Sequence, residues 1–133
     1  SYEQALRLVP DYAEAHNNLG NLLVKERRFD DALPHFDAAI AKLPDNPSYH
    51  NNRGIALARS QKPTEAIAEF NRAVQLDAEY PDAWFNLGRL FSETGQLREA
   101  VLPLQTTLRL RPNSEAARRL LEEIQRKLSV QRP

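Results

Sequence analysis

PDAWFNLGRLFSETGQLREAVLPLQTTLRLRP, residues 81–112, reads as one helix, a tight turn and a second helix. The same grammar occurs twice more upstream. A shift of 34 residues lays Gly20, Gly54 and Gly88 on one another, and likewise Ala32, Ala66 and Ala100. It also aligns Leu23, Leu57 and Phe91, then Phe36, Phe70 and Leu104, then Asn18, Asn52 and Asn86. A fixed period of this length denotes an all-α solenoid of stacked helical hairpins. No hairpin buries its apolar face alone, so each needs its neighbours.

Glycine inside a helical pattern costs about 1 kcal/mol against alanine. Its recurrence at Gly20, Gly54 and Gly88 implies that another segment passes too close for a side chain. The matching alanines follow 12 residues later, at the start of each second helix. We therefore expect small residue to face small residue, Gly20 to Ala32 and so on, where the two helices of a hairpin cross.

These positions resemble the tetratricopeptide repeat, whose motif asks for an aromatic, Leu-Gly, a large apolar residue, then Ala, Phe, Ala and Pro at set intervals. Residues 13–46 offer His16, Leu19, Gly20, Leu23, Ala32, Phe36, Ala39 and Pro44. Residues 47–80 offer His50, Arg53, Gly54, Leu57, Ala66, Phe70, Ala73 and Ala78. Residues 81–114 offer Trp84, Leu87, Gly88, Phe91, Ala100, Leu104, Thr107 and Pro112. The departures are His16 and His50 for an aromatic, Arg53 for leucine, Ala78 for proline and Thr107 for alanine. The resemblance covers nearly the whole chain. It implies a right-handed superhelical stack of antiparallel helix pairs forming a single domain. That domain would comprise a half-repeat (1–12), three repeats (13–46, 47–80, 81–114) and a capping helix (115–128).

Composition agrees with a globular chain. Of 133 residues, 41% are hydrophobic and 27% charged, which is neither disordered nor fibrous. No run approaches 18 consecutive apolar residues, so no membrane span is expected. Without cysteine, disulfides, zinc–thiolate sites and thiol catalysis are excluded. The chain opens at Ser1 within a repeat, with nothing resembling a signal peptide, and reads as an excised fragment. No signal assigns a compartment, the cytoplasm being the default. Net charge is zero, but residues 109–133 carry 7 basic against 3 acidic side chains. This basic end reads as the solvated face of a terminal helix, and lacks the interleaved aromatics of a nucleic-acid surface.

Taken in order, Tyr2–Val9 reads as the second helix of a repeat whose first helix is missing. Such an orphan is a sticky end, capable of self-association. Helices are then expected over Ala13–Glu26 and Asp30–Lys42, with Asp30 as N-cap of the latter and Pro34 bending or loosening it. Pro44 and Pro47 flank a turn at Asp45-Asn46. Further helices follow at Ser48–Arg59, Pro63–Leu76 and Pro81–Glu93, where Gly95 supplies a left-handed cap. At the equivalent Arg27 and Gln61 the same turn should be less comfortable. A helix at Leu97–Leu110 carries a second kink at Pro103. Ser114 caps the last helix, running to Leu128 with an apolar stripe of Leu120, Leu121, Ile124 and Leu128.

Candidate chemistry is sparse. His16 and His50 occupy the same place in adjacent hairpins, about 10 Å apart by helix spacing, too far to share an ion without another ligand. No carboxylate pattern converges on them, and they read as replacements for the aromatic at Trp84. His35 reads as isolated. There is no nucleophile elbow, phosphate loop or HExxH motif, so no enzyme, metal or cofactor is expected.

The resemblance implies that first helices line a concave groove binding a protein or peptide partner. The matching positions are Glu14, Asn17, Asn18, Asn21 and Lys25; Ser48, Asn51, Asn52, Ile55 and Arg59; and Asp82, Phe85, Asn86, Arg89 and Glu93. An asparagine amide can pair with a peptide's N–H and C=O together. Rungs about 10 Å apart would meet an extended chain at about every third residue, given ~3.3 Å rise. The row Asn18, Asn52 and Asn86 is similar to those lining the protein O-GlcNAc transferase and the peroxisomal import receptor. It could equally brace adjacent helices. Lys25, Arg59 and Arg89 would favour an acidic ligand and Phe85 an apolar contact.

Family members that clasp heat-shock chaperone tails use two lysines, an arginine and two asparagines. The asparagine slots fall on Asn21 and Asn52, but the cation slots fall on Asn17, Asp82 and Asn86, so the charge-assisted bonds are missing. The rival to groove binding is a structural spacer of a longer array, homo-oligomeric through Tyr2–Val9.

Overall fold

The computed structural model describes residues 12–131, and these form seven α-helices without a strand. They are α1 (Tyr12–Lys25), α2 (Phe29–Lys42), α3 (Pro47–Arg59), α4 (Pro63–Leu76), α5 (Pro81–Glu93), α6 (Leu97–Leu110) and α7 (Glu115–Val130). The chain divides into two compact units, residues 1–76 and 77–133. The first unit holds α1 to α4, the second α5 to α7. The expected half-repeat at Tyr2–Val9 lies outside the described residues.

Each hairpin turn closes in the same way. The N–H of Arg28 donates to Leu23 O at 2.8 Å, that of Lys62 to Leu57 O at 2.9 Å, and that of Gln96 to Phe91 O at 2.8 Å. This bond satisfies a carbonyl orphaned at the helix end and requires a left-handed residue just before the donor. Gly95 takes it at φ 79°, whereas Arg27 and Gln61 are forced to φ 62° and 63°. The two uncomfortable turns are therefore real strain, held by the same bond.

Two helix starts carry a side-chain cap, and the one expected at Asp30 does not form. Asn46 Oδ1 accepts from the N–H of Ser48 and Tyr49 at 2.9 and 3.3 Å, ahead of Pro47 in the first position. Ser114 Oγ accepts from Ala117 N–H and starts α7. Asp30, however, does not cap α2: the helix begins one residue earlier at Phe29, behind Arg28, with no side-chain cap. Asp30 lies in the first turn instead, where a carboxylate favours the positive end of the helix dipole. Neither internal proline ends its helix. Pro34 is exposed, so the carbonyl it leaves unbonded can meet water.

The close approach at the glycines is with a different partner from the one expected. A Cβ on Gly20 would stand 2.6 Å from Phe36 Cε1, one on Gly54 2.6 Å from Phe70 Cε1, and one on Gly88 2.7 Å from Leu104 Cγ. The large residue four positions after each alanine fills the space over the glycine. Phe36, Phe70 and Leu104 are almost wholly buried there. Ala32, Ala66 and Ala100 are fully buried as well, but the nearest neighbours of the glycine are ring and branched carbons, so the hairpin is locked by a knob over a gap.

In the first unit Leu23, Ala32, Phe36 and Ala56 form one cluster, and Ala13, Ala39 and Tyr49 another. In the second, α7 lays Ala117, Leu121 and Ile124 on Ala100 and Leu104, with Leu120 and Leu128 alongside. Its apolar stripe is the one read from the sequence, and burying Ile124 alone is worth about 1.5–3 kcal/mol. Thr107, which replaces the motif's alanine, is buried at 2% exposure and donates its hydroxyl to Pro103 O at 2.8 Å.

Candidate functional site

In the first unit, α1 and α3 carry ten of the expected groove residues. Asn17 and Asn51 are interior, at 8% and 4% exposure. Asn18 and Lys25 are exposed, and Asn21 is half-buried. One pair is brought together: Asn52 Nδ2 donates to Asn17 Oδ1 at 2.9 Å. This is an inter-helix brace, because Asn17 belongs to α1 and Asn52 to α3. It uses one of the two Asn52 N–H donors. Among the described residues no partner is shown for the other N–H, or for the Asn52 carbonyl oxygen. Asn18, one position beyond Asn17, shows no hydrogen-bond partner among the described residues.

Two of the three expected groove cations, Arg59 and Arg89, lie over aromatic rings. Arg59 ends α3 with its guanidinium carbon 5.7 Å from the centre of the Phe29 ring. In the second unit Arg89 donates to Asn86 Oδ1 at 3.2 Å, comes within 3.9 Å of Glu93 and lies over the Phe85 ring at 5.5 Å. Phe85 also packs against the α6–α7 core. Asp82 is drawn to Arg111 at 2.6 Å.

The histidines are not isolated from one another or from carboxylates. His16 Nδ1 lies 3.1 Å from His35 Nδ1, so His35 has a partner after all. The rings stack at 5.3 Å, and Tyr12 meets His16 edge-on at 4.4 Å. Burial, and then the neighbouring His35, hold the His16 pKa below the ordinary histidine value. In the next hairpin His50 Nδ1 faces Glu69 Oε2 at 2.9 Å and His50 Nε2 meets Pro44 O at 2.7 Å. Arg53 joins them, reaching Glu69 at 3.3 Å and Asp37 at 2.7 Å. The arginine that broke the leucine pattern thus ties α3 to both α2 and α4.

These contacts went unread because the sequence signal is a spacing of 19 rather than 34. His16 with His35 and His50 with Glu69 are the same pair of positions in successive hairpins. No group of three or more His, Cys, Asp or Glu among the described residues could hold a metal ion. No helix among them is long and apolar enough to cross a membrane.

Comparison with known proteins agrees with this geometry. Two family models, each described as tetratricopeptide repeat, match the chain. One covers residues 1–47 and 17–83, the other residues 57–124. No curated protein sequence matches significantly. The first TPR domain of human RPAP3 is similar with a TM-score of 0.86 at 28% identity, covering 92% of this chain and 96% of that one. The first TPR of Spaghetti (RPAP3) bound to the HSP90 peptide SRMEEVD has a TM-score of 0.85 at 28% identity, covering 88% and 93%. The second TPR domain of human RPAP3, in complex with the HSP70 peptide SGPTIEEVD, has a TM-score of 0.80 at 29% identity. Coverage there is 85% and 94%.

Proposed function

The chain belongs to the tetratricopeptide repeat family, and on that premise we propose that it is a protein–protein interaction module gripping an extended peptide along its first helices. The observation that carries this reading is the Asn52–Asn17 bond. At 2.9 Å it fixes the Asn52 amide plane, yet leaves one N–H and one carbonyl oxygen for a ligand. Bracing and binding are therefore compatible roles of one side chain. A pre-oriented amide costs less ordering entropy on binding than a free one. Asn18 offers a second, exposed amide on α1, and Asn86 is the corresponding residue of α5 in the other unit.

Similarity to domains that hold HSP90 and HSP70 peptides supports a peptide as the partner. It does not carry over their acidic tails. Asn17, where a cation would be needed, is buried and bonded to Asn52. Asp82 is acidic and already paired with Arg111. Backbone recognition with sequence preference set by neighbouring side chains fits the chain better than a carboxylate clamp.

The test is selection from a random peptide library, comparing wild type with Asn18→Ala and Asn52→Ala. Asn18 has no structural bond to lose, so Asn18→Ala should keep its melting temperature and lose peptide enrichment. If wild type enriches no peptide, or folded Asn18→Ala and Asn52→Ala enrich the same ones, Asn52 is only a brace, Asn18 is a solvated side chain and the chain is a spacer.

A further inference from the structure

At the turn edge of the first unit, the guanidinium carbons of Arg27 and Arg59 both lie over the Phe29 ring, 5.8 and 5.7 Å from its centre. Neither forms an ion pair among the described residues. They border a cleft of about 450 Å³ that Arg28, Phe29, Asp30, Asp31 and Ser60 also line. Ser60 Oγ is buried and shows no hydrogen-bond partner among the described residues. A buried hydroxyl left unpaired costs about 1–3 kcal/mol. Two like charges gathered on one ring are a further unfavourable feature.

We propose that this cleft is a binding site for a phosphoryl group, separate from the asparagine row. Two guanidinium forks match the terminal oxygens of a group carrying nearly two negative charges. The Phe29 ring limits where both arginines can stand, so their donors are presented rather than searching solvent. Of the remaining lining charges, Arg28 and Asp31 pair with each other at 3.0 Å. Asp30 opposes an anion, and its removal should strengthen binding. The phosphoryl group can arrive free or on a phosphorylated peptide; the chemistry is shared.

The experiment titrates the protein with inorganic phosphate while its backbone amide resonances are followed, then repeats it with a short phosphoserine peptide. Saturable shifts should gather at residues 27–31 and 59–61. Arg59→Gln should weaken binding by about tenfold, as expected for loss of a charge-assisted contact. Asp30→Asn should tighten it by about twofold, the scale of an exposed charge pair. Arg27→Gly removes the charge while relieving its backbone, so it should fold at least as well as wild type and still lose phosphate. Tighter binding of the phosphopeptide would identify a modified protein partner, and equal binding free phosphate. Unsaturable shifts spread over Arg109 and Arg111 as well would mean an adventitious ion only and overturn the site. Unchanged affinity in folded Arg59→Gln and Arg27→Gly would do the same.

Discussion

The ring of His50 stands with Nε2 2.7 Å from the carbonyl oxygen of Pro44. A carbonyl can only accept, so this nitrogen carries the proton. One period later Trp84 donates its indole N–H to Ala78 O at 2.8 Å, across the same interval of six residues. The histidine does replace the motif's aromatic, and what it preserves is a ring N–H aimed at the preceding turn.

His50→Phe keeps the ring and loses that bond together with the contact to Glu69. We expect a loss of about 1–2 kcal/mol, since His50 is buried and Pro44 O is left without its donor. Trp84→Phe should cost about 0.5–1 kcal/mol, because its surroundings are wetter and water can substitute. Urea unfolding of the two variants checks the order. A larger loss for Trp84→Phe would mean that ring area, not the hydrogen bond, decides this position.

The glycine positions make a sharper prediction, one of sign. Gly20→Ala gains about 1 kcal/mol of helix propensity. It also places a methyl 2.6 Å from a buried phenyl ring that has nowhere to move. Overpacking of this kind costs about 1–3 kcal/mol, so the net effect should be destabilising. In a Phe36→Ala background the obstruction is gone, and Gly20→Ala should become stabilising. Calorimetric melting of the four proteins measures the coupling, and additive effects would remove Phe36 as the reason for the glycine.

Much of the fold was legible because punctuation residues act locally. Pro47, Pro63 and Pro81 are suited to the first turn of a helix, and each stands at an observed first position. Ser114 and Asn46 cap through bonds two or three residues away. The misread Asp30 belongs to the same chemistry, displaced because the chain entered the helix one residue earlier. What the sequence hid was lateral. The Gly20–Phe36 contact, the Arg53 bridge and the Asn17–Asn52 brace each join different helices, and their partners depend on rotation about the helix axis. Arg59 was the least legible of the candidate residues, since a long side chain reaches wherever a ring offers itself.

The three left-handed turns separate backbone strain from packing. Arg27→Gly and Gln61→Gly remove a side chain from φ 62° and 63° without breaking a bond of the turn. Each should stabilise by up to about 1 kcal/mol, less the greater entropy glycine gives the unfolded chain. Gly95→Ala should destabilise by about 1 kcal/mol although nothing lies within 4 Å of a new Cβ. Chemical denaturation distinguishes the accounts. A neutral Gly95→Ala would show that these turns tolerate the left-handed conformation at no cost.

The His16–His35 pair should make the fold sensitive to acid. Their Nδ1 atoms are 3.1 Å apart, so one ring must donate while the other accepts, and double protonation forfeits the bond. Lys42 adds positive charge nearby, over the Tyr12 ring that touches His16. Burial and His35 lower the His16 pKa, so the unfolded chain binds this proton more readily than the folded one. Stability therefore rises with pH across the interval between the lowered folded value and the ordinary value near 6.5. It is fully present above that ordinary value and is lost as pH falls through the folded one. His16→Phe removes the titrating group but keeps the ring against Tyr12. Its unfolding free energy should fall less steeply than wild type between pH 7 and 5, as read from urea unfolding at each pH. Parallel curves for the two proteins would remove the His16–His35 pair as a source of acid sensitivity in this fold.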